Sequence, residues 1–359
     1  MTLHVFNPEH DIALARNNKY FTAPTVARRL RSDCGFLPSI WAGNDDYVLV
    51  NDVKEAQKSL SSLGLKTNDS TFVTYRDLSN LPTEIDVSPW GWDSSIAYQL
   101  KKNGLRSDKM PSDECFNIIR GLSSREFSSE ILRLLHDSID FNKYGLVGNS
   151  TYETEISEII STIERNRKSV LKEPWSCSGR GNRVVGAALD TPTENWIRNV
   201  IKNQGGIMIE PFYDKIADFG MEFLSDITGV HYRGLSIFTT SNGFYTGNLI
   251  AEDSYKEEII ERMLPNKIPF IKDLLEEILT DKISKRYIGP LGVDMMIVNN
   301  YTKDNSSPFL HPMVEINLRR TMGHVAIDIL HKVNLRTASM HIGYDGQHYK
   351  LAIEPTQSN

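Results

Sequence analysis

Cysteine is scarce: the chain has three in 359 residues, Cys34, Cys115 and Cys177. The odd number and the wide spacing exclude a disulfide framework and a zinc module, and point to a reducing cytoplasm. No apolar run approaches the roughly 20 residues that a membrane helix needs. The start, Met1-Thr2-Leu3-His4-Val5-Phe6, reads as a short strand rather than an export signal, so Asn149-Ser150-Thr151 is not expected to carry a glycan. Positive charge is in deficit, with 40 basic against 46 acidic residues and a net charge of -6. Neither nucleic acid nor an anionic membrane is therefore expected as a partner. The one basic cluster, Arg28, Arg29 and Arg31, falls on a predicted helix as a solvated face. No GxGxxG follows a predicted strand, so no dinucleotide is expected. No Ser–His or Cys–His arrangement suggests a covalent nucleophile, and Cys177 has no histidine near it in sequence.

The length suits two or three domains, and 40% hydrophobic with 24% charged residues is ordinary for a globular chain. Short strands at 3–6, 46–50, 71–75 and 85–87 alternate with helices at 26–32, 53–63 and 96–102. That alternation predicts a parallel, Rossmann-like α/β domain over residues 1–112. In such sheets ligands gather beyond the carboxyl ends of the strands. Asn7, Glu9, His10 and Asp11 follow the first strand, and Trp90, Trp92 and Asp93 follow a later one. Of these, His10, Asp11, Trp92 and Asp93 are candidate substrate contacts; the same residue types also serve as helix caps and turns.

Residues 170–185 read Val-Leu-Lys-Glu-Pro-Trp-Ser-Cys-Ser-Gly-Arg-Gly-Asn-Arg-Val-Val. Two short β-branched runs enclose a small, polar, flexible segment. Gly179 and Gly181 can take positive φ and turn amides inward, and Lys172 stands at the root. Such a loop suits a phosphate chain, and it equally suits an ordinary hairpin with a Gly-rich tip. Residues 309–323 read Phe-Leu-His-Pro-Met-Val-Glu-Ile-Asn-Leu-Arg-Arg-Thr-Met-Gly. Period-two alternation puts Glu315, Asn317 and Arg319 on one face of a strand, with Val314, Ile316 and Leu318 on the other. A carboxylate beside an amide oxygen offers the hard ligands that Mg²⁺ takes alongside phosphates. A half-exposed strand with charged outward residues fits the same pattern. Further upstream, Asp294 interrupts the apolar run Gly289–Val298, and a lone buried carboxylate calls for a partner or a cation.

Together these stretches resemble the ATP-grasp superfamily, whose small subdomain carries a phosphate-binding Lys and a Gly-rich flap and whose large subdomain carries a Glu-x-Asn-x-Arg strand. The resemblance runs over roughly 113–335. It implies a Rossmann-like domain followed by a two-subdomain ATP-grasp fold, divided at 1–112, 113–206 and 207–359, with an α+β C-terminal part. It implies ATP bound by Arg125, Lys172, Ser176, Ser178, Gly179, Arg180 and Gly181 at the phosphates. The hinge residues Glu210, Pro211 and Phe212 would meet the adenine and Asp218 the ribose. Mg²⁺ (or Mn²⁺) would sit on Asp294, Glu315 and Asn317. Lys172 and Arg319 would stabilise charge during reaction, and Arg320 is a further substrate candidate. The family's commonest chemistry joins a carboxylate to an amine through an acylphosphate, with ADP and phosphate released. A phosphotransferase on the same fold and a non-catalytic ATP-binding protein are the alternatives. Homodimers are common in the family.

Overall fold

The computed structural model describes residues 1–176, 181–241, 244–300, 307–333 and 336–356. The first unit is a parallel sheet. Strands β1 (Thr2–Val5), β2 (Tyr47–Leu49), β3 (Thr71–Val73) and β4 (Asp86–Pro89) pair in the order β3-β2-β1-β4. Helices α1 (His10–Arg16), α2 (Thr25–Asp33), α3 (Val53–Ser62) and α4 (Ser94–Lys102) lie between and after them. The helix starts follow from local chemistry: Asp52 and Asp93 each accept hydrogen bonds from first-turn amides of α3 and α4.

The middle of the chain opens with α5 (Asp113–Leu122), α6 (Arg125–Ser138) and α7 (Phe141–Tyr144). The break between α5 and α6 is set by Ser124, whose hydroxyl accepts from the Phe127 amide and caps α6. Then come β5 (Thr151–Glu153), α8 (Ile156–Asn166), β6 (Ser169–Lys172), β7 (Asn182–Val185), α9 (Thr191–Gln204) and β8 (Ile207–Pro211). These strands form an antiparallel four-stranded sheet, β5-β8-β6-β7.

The last part contributes β9 (Lys215–Asp226), β10 (Gly229–Ser241), β11 (Phe244–Ile250), α10 (Asp253–Glu261), α11 (Ile268–Ile283), β12 (Gly289–Val298), β13 (Phe309–Asn317), α12 (Met322–Leu330), β14 (Ala338–Tyr344) and β15 (Tyr349–Pro355). Its seven-stranded sheet runs β13-β12-β9-β10-β11-β14-β15 and is antiparallel throughout. The fold is thus mixed α/β, with one parallel and two antiparallel sheets. Among the described residues no helix is long and apolar enough to cross a membrane.

Burial divides the chain differently from the expected boundaries. Ile119, Ile131 and Leu135 of α5 and α6 share one core with Phe219, Val293 and Ile316 of the large sheet. Helices 113–144 therefore pack on the seven-stranded sheet, because their apolar faces meet β13 and not the small sheet. Leu146 makes a further bridge to Leu310. At the other expected boundary, β8 pairs with both β5 and β6, so the chain leaves the small sheet after Pro211 rather than at 206. A second core joins Phe6, Ile40 and Trp90 to Val325, Ile329 and Met340. That contact closes the first unit against α12 and the C-terminal hairpin β14–β15, and α12 in turn packs on β10 and β11 of the large sheet.

Candidate active site

The alternation read in the sequence is realised on three adjacent strands. In the ladder Asp294 of β12 stands opposite Glu315 of β13, and Gly292 opposite Asn317. On the other side Gly292 faces Glu222 of β9. Residues opposite one another or two apart share a sheet face, so Glu222, Asp294, Glu315 and Asn317 point the same way. They open into a cavity of about 580 Å³, which Asp11, Ser176 and Arg319 also line.

Crowding of acids sets the electrostatics. The Asp294 carboxyl is pushed up to about 7, by burial first and then by the charges of Glu315 and Glu222. Its one hydrogen bond comes from Asn317 Nδ2, at 3.0 Å. Asn317 Oδ1 accepts from Arg319 Nη2 at 2.8 Å. The Arg319 guanidinium also holds Asp11 across 308 positions of sequence, with Nε 3.0 Å from Oδ1 and Nη2 2.8 Å from Oδ2. Burial alone would raise Asp11, but the Arg319 charge and hydrogen bonds outweigh it and leave the carboxyl lowered. Burial opposes the Arg319 charge likewise, and Asp11 more than restores it, so that pKa ends raised.

Arg125, at the first turn of α6, connects the two stretches that the sequence singled out. Its Nη1 donates to Ser176 Oγ and to the Glu173 carbonyl, each at 2.7 Å, and its Nη2 donates to Glu315 Oε2 at 2.8 Å. The guanidinium side chain is 4% exposed. Lys172 closes β6 and pairs with Glu210 of β8 at 2.6 Å, both side chains buried. Gly181 has a φ of 77°, where a Cβ would strain the backbone. Ser178, Gly179 and Arg180, with Cys177, lie outside the described residues.

The hinge residues are placed less openly than expected. The side chain of Glu210 is taken up by Lys172. The Phe212 amide donates to the Lys168 carbonyl at 3.0 Å, so it is not open to a ring edge. The Phe212 ring is 38% exposed, with Lys168 Nζ 3.4 Å from its centre. Pro211 is half-buried beside it. Asp218 pairs with Lys215 and accepts from Thr240 Oγ1 at 3.0 Å; Thr240 in turn lines the cavity.

Of the residues singled out after β1 and β4, Asp11 and Trp90 line the cavity. His10 Nδ1 lies 3.2 Å from Asp93 Oδ2, and His10 is 1% exposed. Asp93 Oδ1 accepts from the amides of Ser95 and Ile96, both at 2.9 Å, which caps α4. Asn7 ties the two loops through Asp93 and the Gly91 carbonyl. A Cβ on Gly91 would come within 2.5 Å of the His10 ring, so glycine is needed for this packing. Trp92 packs against Phe116. Arg320 pairs with Asp328 at 2.6 Å and stacks 4.1 Å from the Trp41 ring. These are structural placements, and the substrate expectation for His10, Trp92, Asp93 and Arg320 has no support in the cavity wall.

Sequence reasoning missed Glu222, Ser236, Tyr245 and Asn248, which line the deep end. A signal for Glu222 existed. It interrupts the apolar run Phe219-Gly-Met-Glu-Phe-Leu in the same way that Asp294 interrupts its own. The other three are polar residues on alternating strands, a pattern shared with any solvated sheet face.

No family profile and no curated protein matches the chain. Solved structures similar to it include the N5-carboxyaminoimidazole synthetase from Staphylococcus aureus complexed with ADP, at 12% identity and a TM-score of 0.49, covering 96% of this chain and 83% of that one. The biotin carboxylase domain of the Hydrogenobacter thermophilus 2-oxoglutarate carboxylase, in complex with MgADP and bicarbonate, is similar at 11% identity and a TM-score of 0.48, covering 95% and 74%. A putative ATP-grasp superfamily protein from Archaeoglobus fulgidus is similar at 13% identity and a TM-score of 0.43, covering 99% and 100%.

Proposed function

We propose that the cleft binds magnesium-ATP and that the protein is an ATP-grasp ligase, joining a carboxylate to an amine with release of ADP and phosphate. The observation that carries this reading is the Arg125 fork, which holds Ser176 at the foot of the Gly-rich loop and Glu315 on the acidic strand at once. One cavity is thereby lined by a phosphate-loop residue and by paired carboxylates. Among the described residues no three His, Cys, Asp or Glu side chains converge to cage a metal. Two carboxylates and an amide fit Mg²⁺ better than a cage does, since that ion completes its shell with water and substrate phosphate. The raised Asp294 supports a cation there, because an added positive charge would relieve its repulsion from Glu315 and Glu222. The ion would offset charge on the phosphates and the leaving oxygen. Asn317 would turn its amide to present Oδ1, which frees Arg319 from that contact.

In this reading Lys172 and Arg125 hold the phosphate oxygens, and each must release a carboxylate, Glu210 or Glu315, to do so. A substrate carboxylate oxygen attacks the γ-phosphorus and ADP leaves. The amine then attacks the acyl carbon, phosphate leaves and the amine nitrogen loses a proton. Arg319 stabilises the anionic centre between these steps. The test is an ADP-release screen of small carboxylic acids and amines in pairs, with Glu315→Ala as the blank, alongside Mg-ATP binding by Lys172→Ala and Glu315→Ala. The expected result is release that needs both substrates and binding lost in both variants. Two variants that bind Mg-ATP as well as the parent would overturn the assignment, and release with an acid alone would move it to phosphoryl transfer.

A further inference from the structure

The deep end of the cleft is built as a receptor for hydrogen-bond donors. Glu222 is 4% exposed and Asn248 is 3% exposed. Among the described residues, Glu222 Oε2, Asn248 Oδ1 and the Tyr245 hydroxyl are all buried without a hydrogen-bond partner. All three side chains line the same cavity. Asn248 is held in this orientation by its Nδ2, which donates to Ser236 Oγ at 2.8 Å. Its carbonyl oxygen is thus turned away from that partner.

Glu222 has one close neighbour, and it does not satisfy the carboxylate. His324 Nδ1 lies 2.9 Å from Oε2. The other ring nitrogen sits 3.1 Å from the Phe223 carbonyl, which places a hydrogen on Nε2. The Thr321 amide donates to Nδ1 at 3.2 Å, so Nδ1 presents a lone pair. With the ring neutral, lone pair faces lone pair at Oε2, and the arrangement is short of one N–H donor; with the ring protonated, Nδ1 would donate to Oε2. The room for this carboxylate is made by two glycines. A Cβ on Gly323 would lie 1.9 Å from Oε1, and one on Gly292 would lie 2.6 Å from Oε2. A buried acceptor left without a donor is costly, the more so when charged, so a site that collects them calls for a ligand.

We infer that this end of the cleft binds a primary ammonium group carried on an apolar body. The donors of an –NH₃⁺ group match Glu222 Oε2 and Asn248 Oδ1, with Tyr245 as a further partner, and the positive charge answers the acid-rich wall. The apolar body follows from the walls between this end and the mouth, which are Phe6, Trp90, Phe238, Met322, Ile342 and Tyr349. This deepens the ligase reading and rests on it in one respect: the bound ammonium, after giving one proton to Glu222 to free its lone pair, is taken to be the second substrate.

The experiment is calorimetric titration of the full chain at neutral pH with 2-phenylethylamine and, as its neutral counterpart, 2-phenylethanol. The amine is expected to bind and the alcohol to bind about tenfold more weakly or not at all. Glu222→Gln should weaken the amine by about tenfold or more and leave the alcohol unchanged. Tyr245→Phe removes only a hydroxyl and keeps the test alive if Glu222→Gln fails to fold; it should weaken the amine several-fold. An amine that binds no better than the alcohol, or equally well in both variants, overturns the inference. Mg-ATP binding by the parent is measured in the same samples. Its absence would remove the ligase reading while leaving the amine result to stand or fall alone.

Discussion

Asp93 and Asp294 are both acids at the inner edge of a sheet, and their surroundings differ. Asp93, at the end of the parallel sheet, receives two amides of α4, the Asn7 amide and His10. Its neighbour Glu9 has Arg31 at 2.7 Å, and Asp11 has Arg319. Asp294, on the antiparallel face, has one amide from Asn317 and two acids, Glu315 and Glu222, pressing on it. In the first set each acid has an amide or cationic partner within the protein, although Glu9 Oε2 lacks one among the described residues. In the second, Arg125 answers Glu315, but Asp294 has no ion pair among the described residues, and positive charge is what a metal nucleotide or an ammonium supplies. Burial of an acid is therefore a poor guide to function on its own; the balance of its partners decides.

The largest effect that would sharpen this contrast is in turnover. Asp294→Ala and Glu315→Ala should each lower ADP release by about a hundredfold or more, since they remove groups that hold the charge of the reacting phosphates. Asp93→Ala should leave Mg-ATP binding near that of the parent and instead lower stability. It removes a helix cap worth about 1 kcal/mol and strips partners from two buried polar side chains. Comparable losses of nucleotide binding in the two classes of variant would break the comparison.

Next in size is a pH effect with a definite sign. Asp294, pushed to about 7, lies above its unfolded value of about 4. The folded chain therefore holds more protons between those values, and stability of the metal-free protein falls as the pH rises through that window. Denaturant titrations across it should show the fall, Asp294→Asn should flatten it, and added Mg²⁺ should reverse it while releasing protons. A flat profile in the parent would show that Asp294 is already paired.

A smaller effect concerns the glycines around Glu222. Gly323→Ala should cost about 1–3 kcal/mol through overpacking, because its new methyl meets the Glu222 carboxylate. Combining it with Glu222→Ala should recover part of that loss, and the non-additivity measures the contact. The least effect is expected at Phe212→Ala, which removes the exposed ring under Lys168 and should cost about 0.5–1 kcal/mol.

Much of this arrangement was legible in the chain. The alternation of Glu315, Asn317 and Arg319 placed the first two on one strand face, and the lone acid in the β12 run singled out Asp294. Arg125 was read from resemblance and meets both stretches. Other features were not legible, for physical reasons. His10 and Asp93 look like site residues because polar groups at strand ends serve ligands and caps alike, and sequence does not show which. The hinge residues Glu210 to Phe212 were expected to meet the adenine, but the Phe212 amide already has the Lys168 carbonyl as partner, set by the β6–β8 register, which local pattern does not encode. The grouping of α5 and α6 with the large sheet depends on which apolar surface they meet, a long-range matter. Glu222 carried the same signal as Asp294, a lone acid in an apolar strand run.

The pairing of Asp11 with Arg319 has a consequence for the molecule as a whole. A side chain beside the first strand steadies the arginine nearest the reacting centre, although it belongs to neither antiparallel sheet. Shortening the chain past Asp11 would leave that arginine without its anchor and free to swing. Asp11, just beyond the first strand, thus acts as a remote brace for an arginine that follows β13.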